Sequence, residues 1–387
     1  MSKCKIEFGE VKLNETSLRE VMDCLSKNRI TMGEKVERFE EQWGNLFGYK
    51  YNVCVNSGTS ADFCALLALY DFGAQPGDEV ILPGCCFIAC AEAVAAAGFT
   101  PVWVDVDFRT QNIDVEKIYD SATEKTVAVL AVNNMGKPCN MEEIRNICNT
   151  NNWVYIADNA EGHGCTYKGG HAGYWADMAT YSFYAAHLIF GGELGMVSTN
   201  RKDLYDILRS IRTHGRKNGD LYFNHERMGW NAKPTDLGAA IALGGVEDFW
   251  EIFNKRKRNL NYLISRLAGN DWVFFNQEDE FDVTCPHAFS ITPKSFYPNI
   301  DYFNKFVGML NNAGIHWKRN FGRTVDHGAF KTYKSSYDNP IGNRLPNSQH
   351  IGHYGIHVAC HQFLTQEDLD YMVEVFKNSL YLLRGKN

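Results

Sequence analysis

The sequence lacks the features of several protein classes. It contains no apolar stretch of about eighteen residues, which a membrane-spanning helix needs. It has 39 Lys and Arg residues against 46 Asp and Glu residues, a formal net charge of −7, and no long block of like charges. A nucleic-acid-binding or membrane-surface protein is therefore not expected. No internal repeat, low-complexity tract or Pro/Ser-rich linker divides the chain.

The twelve cysteines are not arranged as a disulfide scaffold or a zinc site, because no Cys-x-x-Cys pair occurs among them. The first residues, MSKCKIEFGEVKLNE, lack the apolar run of a signal peptide. We therefore predict a cytoplasmic protein with reduced thiols, most of them small apolar residues of the core. A hydrophobic content of 45% is enough for a folded core.

Short apolar strands alternate with helical segments between residues 53 and 199. This alternation predicts an α/β fold with a mostly parallel sheet flanked by helices. We place the end of this large domain near residue 247, so that residues 1–247 form it and residues 248–387 form a smaller C-terminal α+β domain. Ligands of such sheets bind at the carboxyl ends of the strands, so the strand-to-loop junctions are the candidate sites.

Two strand ends and one strand-to-helix turn carry side chains that suit a phosphorylated ring. The turn SGTS, residues 57–60, offers hydroxyls and helix-start amides to a phosphate, although it also suits a plain turn with a helix N-cap. Phe87 follows another strand, and it either stacks on a planar ring or belongs to the core. Asp158 follows the strand at 153–157, where a carboxylate suits a cation, a ribose hydroxyl or a protonated ring nitrogen.

The segment TYSFYAAHLIFGGELG, residues 180–195, adds a Ser-Phe-Tyr run before a glycine-rich turn. The order of these strings resembles the fold type I pyridoxal phosphate enzymes, and more narrowly the DegT/DnrJ/EryC1/StrS family of sugar-nucleotide aminotransferases. Four further strings extend the resemblance over nearly the whole chain: TMGE at 31–34, VNNMGKP at 132–138, RTHGR at 212–216 and MGWN at 228–231.

Matched position by position, the resemblance implies a set of cofactor contacts. The cofactor phosphate would contact Ser57, Gly58, Thr59 and Ser182. Phe87 would lie on the ring face, Asp158 would pair with the protonated ring nitrogen, and Glu161 would make a further contact. Asn231 would reach the cofactor phosphate of the neighbouring subunit. The last contact implies a homodimer with shared active sites. An acidic residue at the ring nitrogen makes the cofactor an electron sink.

One position departs from the aminotransferase pattern. Aminotransferases of the family carry at this position a lysine that bonds to the cofactor, whereas this chain has His187. An imidazole forms no stable imine with an aldehyde, but it moves protons near neutral pH. The same exchange occurs in one branch of the family, the 3-dehydratases of 4-keto-6-deoxy sugar nucleotides. A catalytically inactive homologue and a laboratory substitution of the lysine are the alternatives.

Other residues favour the dehydratase branch over both alternatives. Glu161 stands where many aminotransferases have glutamine, VNNMGKP fits the branch string VNxxGxP, and His361-Gln362 resembles a C-terminal His-Gln pair of the branch. One sub-branch also holds an iron–sulfur cluster on cysteines downstream of the histidine. No cysteine lies between Cys165 and Cys285, so we expect no cluster and no metal. The closer resemblance is to the enzymes that act on GDP-4-keto-6-deoxymannose.

This resemblance implies two half-reactions on a noncovalently held cofactor. Glutamate would first convert pyridoxal phosphate to pyridoxamine phosphate. The amine would then condense with the C4 ketone of the sugar nucleotide, and loss of the C3 hydroxyl would give a 4-keto-3,6-dideoxy sugar and ammonia. His187 would move the proton, Asp158 would support the ring, and His214 is a further catalytic candidate.

Candidate contacts to the sugar nucleotide are Lys318, Arg319 and His361. An exposed basic pair is also an ordinary surface feature. Two competing hypotheses remain at this point: an aminotransferase that manages without the lysine, and a sugar-nucleotide-binding protein without turnover.

Overall fold

The fold is seen in a computed structural model that describes residues 5–220, 223–269, 272–293, 300–331 and 345–384. Its α-helices in these ranges are α1 (Glu15–Ser26), α2 (Glu34–Phe47), α3 (Gly58–Leu67), α4 (Ile88–Ala96), α5 (Glu116–Ser121), α6 (Met141–Asn151), α7 (Lys202–Arg212), α8 (Asp236–Glu247), α9 (Phe249–Leu267), α10 (Ile300–Asn312), α11 (Gly328–Lys331), α12 (Pro346–Tyr354) and α13 (Gln366–Arg384). The strands are β1 (Tyr51–Val55), β2 (Glu79–Pro83), β3 (Thr100–Val104), β4 (Thr126–Val132), β5 (Val154–Asp158), β6 (Thr166–Tyr167), β7 (Gly170–His171), β8 (Met178–Ser182), β9 (Gly195–Thr199), β10 (Trp272–Phe274), β11 (Asp282–Val283), β12 (Phe289–Pro293), β13 (Trp317–Arg319) and β14 (Ile356–Val358).

A seven-stranded sheet forms the centre of the fold, with the strand order β1-β9-β8-β5-β4-β2-β3. The strands from β8 to β3 pair in parallel, whereas β9 pairs antiparallel with both β1 and β8. The prediction of an α/β fold with a mostly parallel sheet is confirmed. Because β1 runs in the same direction as β8, the carboxyl ends of β1, β2, β4, β5 and β8 all meet at one edge.

Helices cover both faces of this sheet. Residues that alternate along a strand enter different apolar clusters: Ile81 belongs to one cluster, and its neighbours Val80 and Leu82 belong to the other. On the first face, α1 and α2 pack against α8. The apolar residues of α2, such as Phe39 and Trp43, recur at helical spacing and are fully buried, as the sequence pattern predicts.

The C-terminal part has its own apolar cluster around the antiparallel sheet β10-β12-β14-β13. Phe289, Phe303 and Phe376 lie at its centre, and Ile6 joins it from the start of the chain by bridging to Ile315. The predicted domain boundary between residues 247 and 248 falls at the joint between α8 and α9, and it stays a prediction.

Two further observations concern the burial of the cysteines and the length of the helices. The cysteines from Cys24 to Cys360 are all buried and free of disulfides in the described ranges. None of the helices described there is long and apolar enough to cross a membrane. The burial agrees with the predicted role of most cysteines as small core residues.

Candidate active site

One cavity gathers most of the predicted site residues. It has a volume of about 400 Å³ and lies at the edge of the central sheet where β1, β2, β5 and β8 end. Parallel strands bring these ends together, so residues far apart in the chain meet there. The predicted residues that line the cavity are Ser57, Gly58, Thr59, Phe87, Asp158, Glu161, Ser182, His187, Lys318 and Arg319.

The first turn of α3 forms one wall. Ser57 is the N-cap of α3, and its Oγ accepts a hydrogen bond from the amide of Ser60 at 3.1 Å. Gly58 and Thr59 line the cavity next to it, and the first amides of a helix have no acceptor within the helix. These amides and the positive end of the helix dipole suit an anion. The N-cap and phosphate interpretations of this turn are therefore compatible.

Glycine is required where α3 meets β8. A Cβ on Gly58 would lie 2.6 Å from the Cβ of Ser182. We expect Gly58→Ala to push α3 away from β8 and to lower the free energy of unfolding by about 1–3 kcal/mol, because overpacked cores shift their backbone. Urea denaturation measures the change. The matched control is Gly308→Ala in α10, where nothing lies within 4 Å, and a helix-interior alanine should stabilise by about 0.5–1 kcal/mol. Two variants of equal stability would contradict the contact.

Two buried carboxylates form the floor. Asp158 accepts hydrogen bonds from the amide of Ala160 at 2.8 Å and from the thiol of Cys90 at 3.0 Å, and Asp62 accepts one from the hydroxyl of Thr180 at 2.6 Å. Burial raises the pKa of both carboxyls, and the charge of Asp158 raises the pKa of Asp62 further. A cation over Asp158 would lower its pKa again, so this floor suits a protonated ring nitrogen.

Phe87 stands in the cavity wall. It is 57% exposed at the N-cap of α4, and the nearest aromatic partner is Phe321, with 5.8 Å between ring centroids. The alternative that Phe87 belongs to the core is therefore wrong. Its open face is available to a planar ring, and stacking there stays a prediction.

The turn after β8 carries His187 into the cavity. The turn is held by a bridge between Tyr184 and Gly192 and by a hydrogen bond from the His187 amide to the Tyr184 carbonyl at 3.0 Å. Nδ1 of His187 is enclosed and has no hydrogen-bond partner among the described residues. Burial, helped by the charge of Arg256, lowers the pKa of His187 to about 3. The imidazole is thus a neutral base, and an anion in the cavity would raise its pKa.

Glu161 lines the cavity next to the turn that contains VNNMGKP. Its Oε2 accepts a hydrogen bond from the amide of Met135 at 2.6 Å, and its Oε1 lies 3.4 Å from Nε2 of His287. Burial raises the pKa of Glu161 to about 8 and lowers the pKa of His287 well below its usual value. At neutral pH the two groups therefore form a neutral pair rather than an ion pair.

The two basic residues that line the cavity, Lys318 and Arg319, make different contacts. The Nζ of Lys318 lies 4.1 Å from the ring centroid of Phe8, which also lines the cavity. Arg319 instead donates to the carbonyl of His353 at 2.6 Å, at the end of α12. Lys318 is thus the more available cation for a diphosphate.

Three predicted residues lie away from the cavity lining. His214 is exposed and has a left-handed backbone with φ of 66°. Asn231 is exposed and bridges to Thr213, and its Oδ1 accepts a hydrogen bond from Nζ of Lys233. His361 is buried, and its Nε2 lies 3.2 Å from the carbonyl of Glu7, so it holds the segment that carries Phe8. The roles proposed for these three stay predictions.

Sequence analysis missed several other residues that line the cavity. They are Phe8, Asp62, Cys90, Tyr184, Glu193, His287, Phe321 and His357. Helical spacing could have found two of them, because Asp62 lies four residues after Gly58 in α3 and Cys90 lies three residues after Phe87 in α4. Tyr184 and Glu193 lie in the segment 180–195, after the end of β8, and the remaining four have no local pattern that links them to the strand ends.

Comparison with known proteins finds enzymes of sugar nucleotides among the proteins similar to this chain. The chain is 27% identical over 388 residues to the GDP-4-keto-6-deoxy-D-mannose 3-dehydratase of Escherichia coli O55:H7, covering 94% of this chain and 97% of that protein. It is 34% identical over 265 residues to the GDP-perosamine synthase of Caulobacter vibrioides, covering 68% of this chain and 70% of that protein. A solved structure of the E. coli GDP-4-keto-6-deoxy-D-mannose-3-dehydratase with bound hydrated PLP matches with a TM-score of 0.87 at 25% identity, covering 97% of this chain and 100% of that one.

The family model named DegT/DnrJ/EryC1/StrS aminotransferase family matches residues 11–377, which include every lining residue of the cavity except Phe8. The resemblance seen in the sequence strings is thus confirmed at the level of the whole chain. The chain belongs to the DegT/DnrJ/EryC1/StrS aminotransferase family, a family of sugar-nucleotide enzymes that holds both aminotransferases and 3-dehydratases.

Proposed function

We propose that this chain is a pyridoxal phosphate-dependent 3-dehydratase of a 4-keto-6-deoxy sugar nucleotide, with GDP-4-keto-6-deoxymannose as substrate and glutamate as amino donor. The observation that carries the proposal is His187, an imidazole in the cavity where the family resemblance expects the cofactor-bonding lysine. Among the described residues that line the cavity, Lys318 is the single lysine, and it lies on β13 of the C-terminal sheet. At the position where the resemblance expects the lysine, the chain therefore offers an imidazole base and no amine.

The described residues fit a noncovalent pyridoxal phosphate. A cavity of about 400 Å³ is within the usual range for such a ligand. The amides at Gly58 and Thr59 suit the phosphate, the open face of Phe87 suits the ring, and the carboxylate of Asp158 suits the protonated ring nitrogen. The close approach of Gly58 to Ser182, with no room for a Cβ, brings both phosphate contacts to one place.

When bound, pyridoxal phosphate supplies a ring that withdraws electrons from the reacting carbon. Asp158 keeps the ring nitrogen protonated, because a buried carboxylate beside a cation favours the charged pair. His187 accepts a proton at an imidazole nitrogen, since burial keeps the ring neutral beforehand. A proton must also reach the C3 hydroxyl, because that group leaves as water.

The comparisons support this choice in two ways. The dehydratase relative aligns over nearly the full length of both chains. The solved dehydratase contains hydrated PLP, an aldehyde hydrate, and this agrees with a cofactor that is not bonded to a lysine. Aminotransfer is the second candidate, because GDP-perosamine synthase has the higher identity, 34%, over its shorter alignment.

Ammonium release separates the two reactions. The protein is incubated with pyridoxal phosphate, glutamate and GDP-4-keto-6-deoxymannose, and ammonium is measured beside the glutamate consumed. A dehydratase releases one ammonium for each glutamate, because the amine leaves by hydrolysis. An amino sugar formed without ammonium would replace the proposal with aminotransfer, and no consumption of glutamate would favour a binding protein.

We also propose a homodimer with shared active sites. Asn231 is exposed, and the nearby side chains of Met228 and Trp230 are 77% and 55% exposed, which is unusual for large apolar groups outside an interface. Sedimentation equilibrium should give twice the chain mass of 43.9 kDa. A monomer at micromolar concentration would contradict the proposal.

A further inference from the structure

Two further histidine rings flank His187. The ring centroid of His163 lies 5.6 Å from that of His187, and the centroid of His287 lies 5.2 Å from it. Nε2 of His163 is engaged with the carbonyl of Ser182 at 2.9 Å, and His163 does not line the cavity. His287 does line the cavity. The two neighbours are therefore similar in their distance to His187 and different in their access to the cavity.

One tight turn holds both His287 and Glu161. The amide of Met135 binds Oε2 of Glu161, and the carbonyl of Gly136 accepts from the amide of Cys285 at 2.9 Å. The amide of His287 binds the carbonyl of Cys285 at 2.8 Å. A Cβ on Gly136 would lie 2.3 Å from that same carbonyl, so the close approach requires glycine. The pair is therefore set in place by backbone contacts.

In the part of the chain that the structure describes, the rings of His187 and His287 each carry a nitrogen without a hydrogen-bond partner. Nδ1 of His187 and Nδ1 of His287 are both enclosed and have no hydrogen-bond partner among the described residues. An unpaired buried nitrogen is unfavourable, and the two rings that carry these nitrogens are neighbours, with 5.2 Å between their centroids. On its other side, His287 already faces Glu161 through Nε2. Nδ1 of His287 is thus without a partner among the described residues, and Nε2 already faces a carboxyl group.

The positive charge of Arg256 disfavours a second proton on the His187 ring. The guanidinium of Arg256, which is 5% exposed and donates to Gln362 at 2.8 Å, opposes a positive charge on His187. In the described part of the chain no carboxylate forms a hydrogen bond with His187. The carboxyl group of Glu161, reached through His287, lines the same cavity.

We propose that His287 is a positioning residue that relays a proton from His187 to Glu161 during the sugar half-reaction. This inference rests on the proposed dehydratase function. Glu161 gives its proton to the departing C3 hydroxyl, which leaves as water. His287 passes the proton on Nε2 to the Glu161 carboxylate and accepts at Nδ1 the proton that His187 took from carbon. The proton removed from carbon is thus balanced by the proton lost in water, and no outside acid is needed.

The test compares His287→Gln with His163→Gln in the loaded enzyme. His287→Gln should slow the sugar half-reaction by on the order of a hundredfold, the usual size of an acid–base contribution. It should leave the glutamate half-reaction, followed by cofactor absorbance, near the wild-type rate, because no hydroxyl leaves there. His163→Gln should change both half-reactions in the same proportion. Glu161→Gln should slow the sugar half-reaction to a similar extent, which guards against misfolding of one variant.

A second measurement needs neither cofactor nor substrate. In the cofactor-free protein with ¹⁵N-labelled histidine, the His287 ring signals should shift in a step near pH 8, where Glu161 ionises with a pKa of about 8. Asp158 and Lys318 also face Glu161, so the assignment needs Glu161→Gln, in which the step should vanish. If the step persists in Glu161→Gln, or is absent from the wild-type protein, the proposed coupling between His287 and Glu161 is wrong.

The outcomes also separate the inference from the function on which it depends. If the wild-type protein dehydrates the sugar and His287→Gln dehydrates it equally fast, the relay is wrong and the function stands. The relay is also wrong if His163→Gln slows the sugar half-reaction relative to the glutamate half-reaction as much as His287→Gln does. If the wild-type protein does not dehydrate the sugar, both ideas fall.

Discussion

Replacing His187 with asparagine is expected to lower the rate of sugar dehydration by on the order of a thousandfold. Asparagine occupies a similar volume in the turn between Tyr184 and Gly192, but its amide does not exchange protons near neutral pH. Pyridoxal phosphate should still bind, because the amides at Gly58 and the carboxylate of Asp158 are untouched. Cofactor absorbance after gel filtration measures binding, and chromatography of the sugar nucleotide measures turnover.

The reverse substitution provides the control for this position. His187→Lys places an amine at the same point of the cavity, and it should form a covalent link to pyridoxal phosphate that borohydride reduction preserves. Mass spectrometry of the protein detects the link. Dehydration by His187→Asn at the wild-type rate, or no link in His187→Lys, would show that residue 187 does not face the reacting carbon.

Replacing Asp158 with asparagine is expected to slow both half-reactions by on the order of a hundredfold. The asparagine oxygen can still accept from the amide of Ala160, so the local structure is kept. Under the proposed function, the negative charge of Asp158 holds a proton on the ring nitrogen, and both half-reactions depend on that proton. Asparagine removes this charge. Single-turnover absorbance with glutamate and with the sugar nucleotide measures the two rates.

The matched control for Asp158 is the second buried carboxylate, Asp62. Its Oδ1 accepts from Thr180, and burial together with the charge of Asp158 raises its pKa well above the usual value. Asp62→Asn should therefore have a much smaller effect, since burial and the charge of Asp158 already favour the uncharged form of this carboxyl. Equal losses in the two variants would show that the charge of Asp158 has no special role at the ring nitrogen.

The part of the site at the strand ends could be predicted from the sequence. Ser57, Phe87, Asp158 and His187 each follow an apolar strand, and parallel strands place such residues at one edge whatever the details of packing. The direction of β9 could not be predicted, because its five buried residues show no difference between a parallel and an antiparallel neighbour.

Residues from the C-terminal part could not be placed in the same way. His287 reaches Glu161 only because Cys285 packs on Gly136, a contact between segments about 150 residues apart that no local pattern encodes. His361 was expected at the substrate, yet it contacts the backbone of Glu7. The string resembles one in the dehydratase branch of the family, but a string carries no information about which way a side chain points.

The most direct test is the mass of the sugar nucleotide after incubation of the wild-type protein with pyridoxal phosphate, glutamate and GDP-4-keto-6-deoxymannose. Because we propose that His187, a cavity residue with no amine, acts as the base, we expect a product that has lost the C3 oxygen and gained no nitrogen. A product that keeps the C3 oxygen and carries an amine at C4 would contradict the dehydratase function.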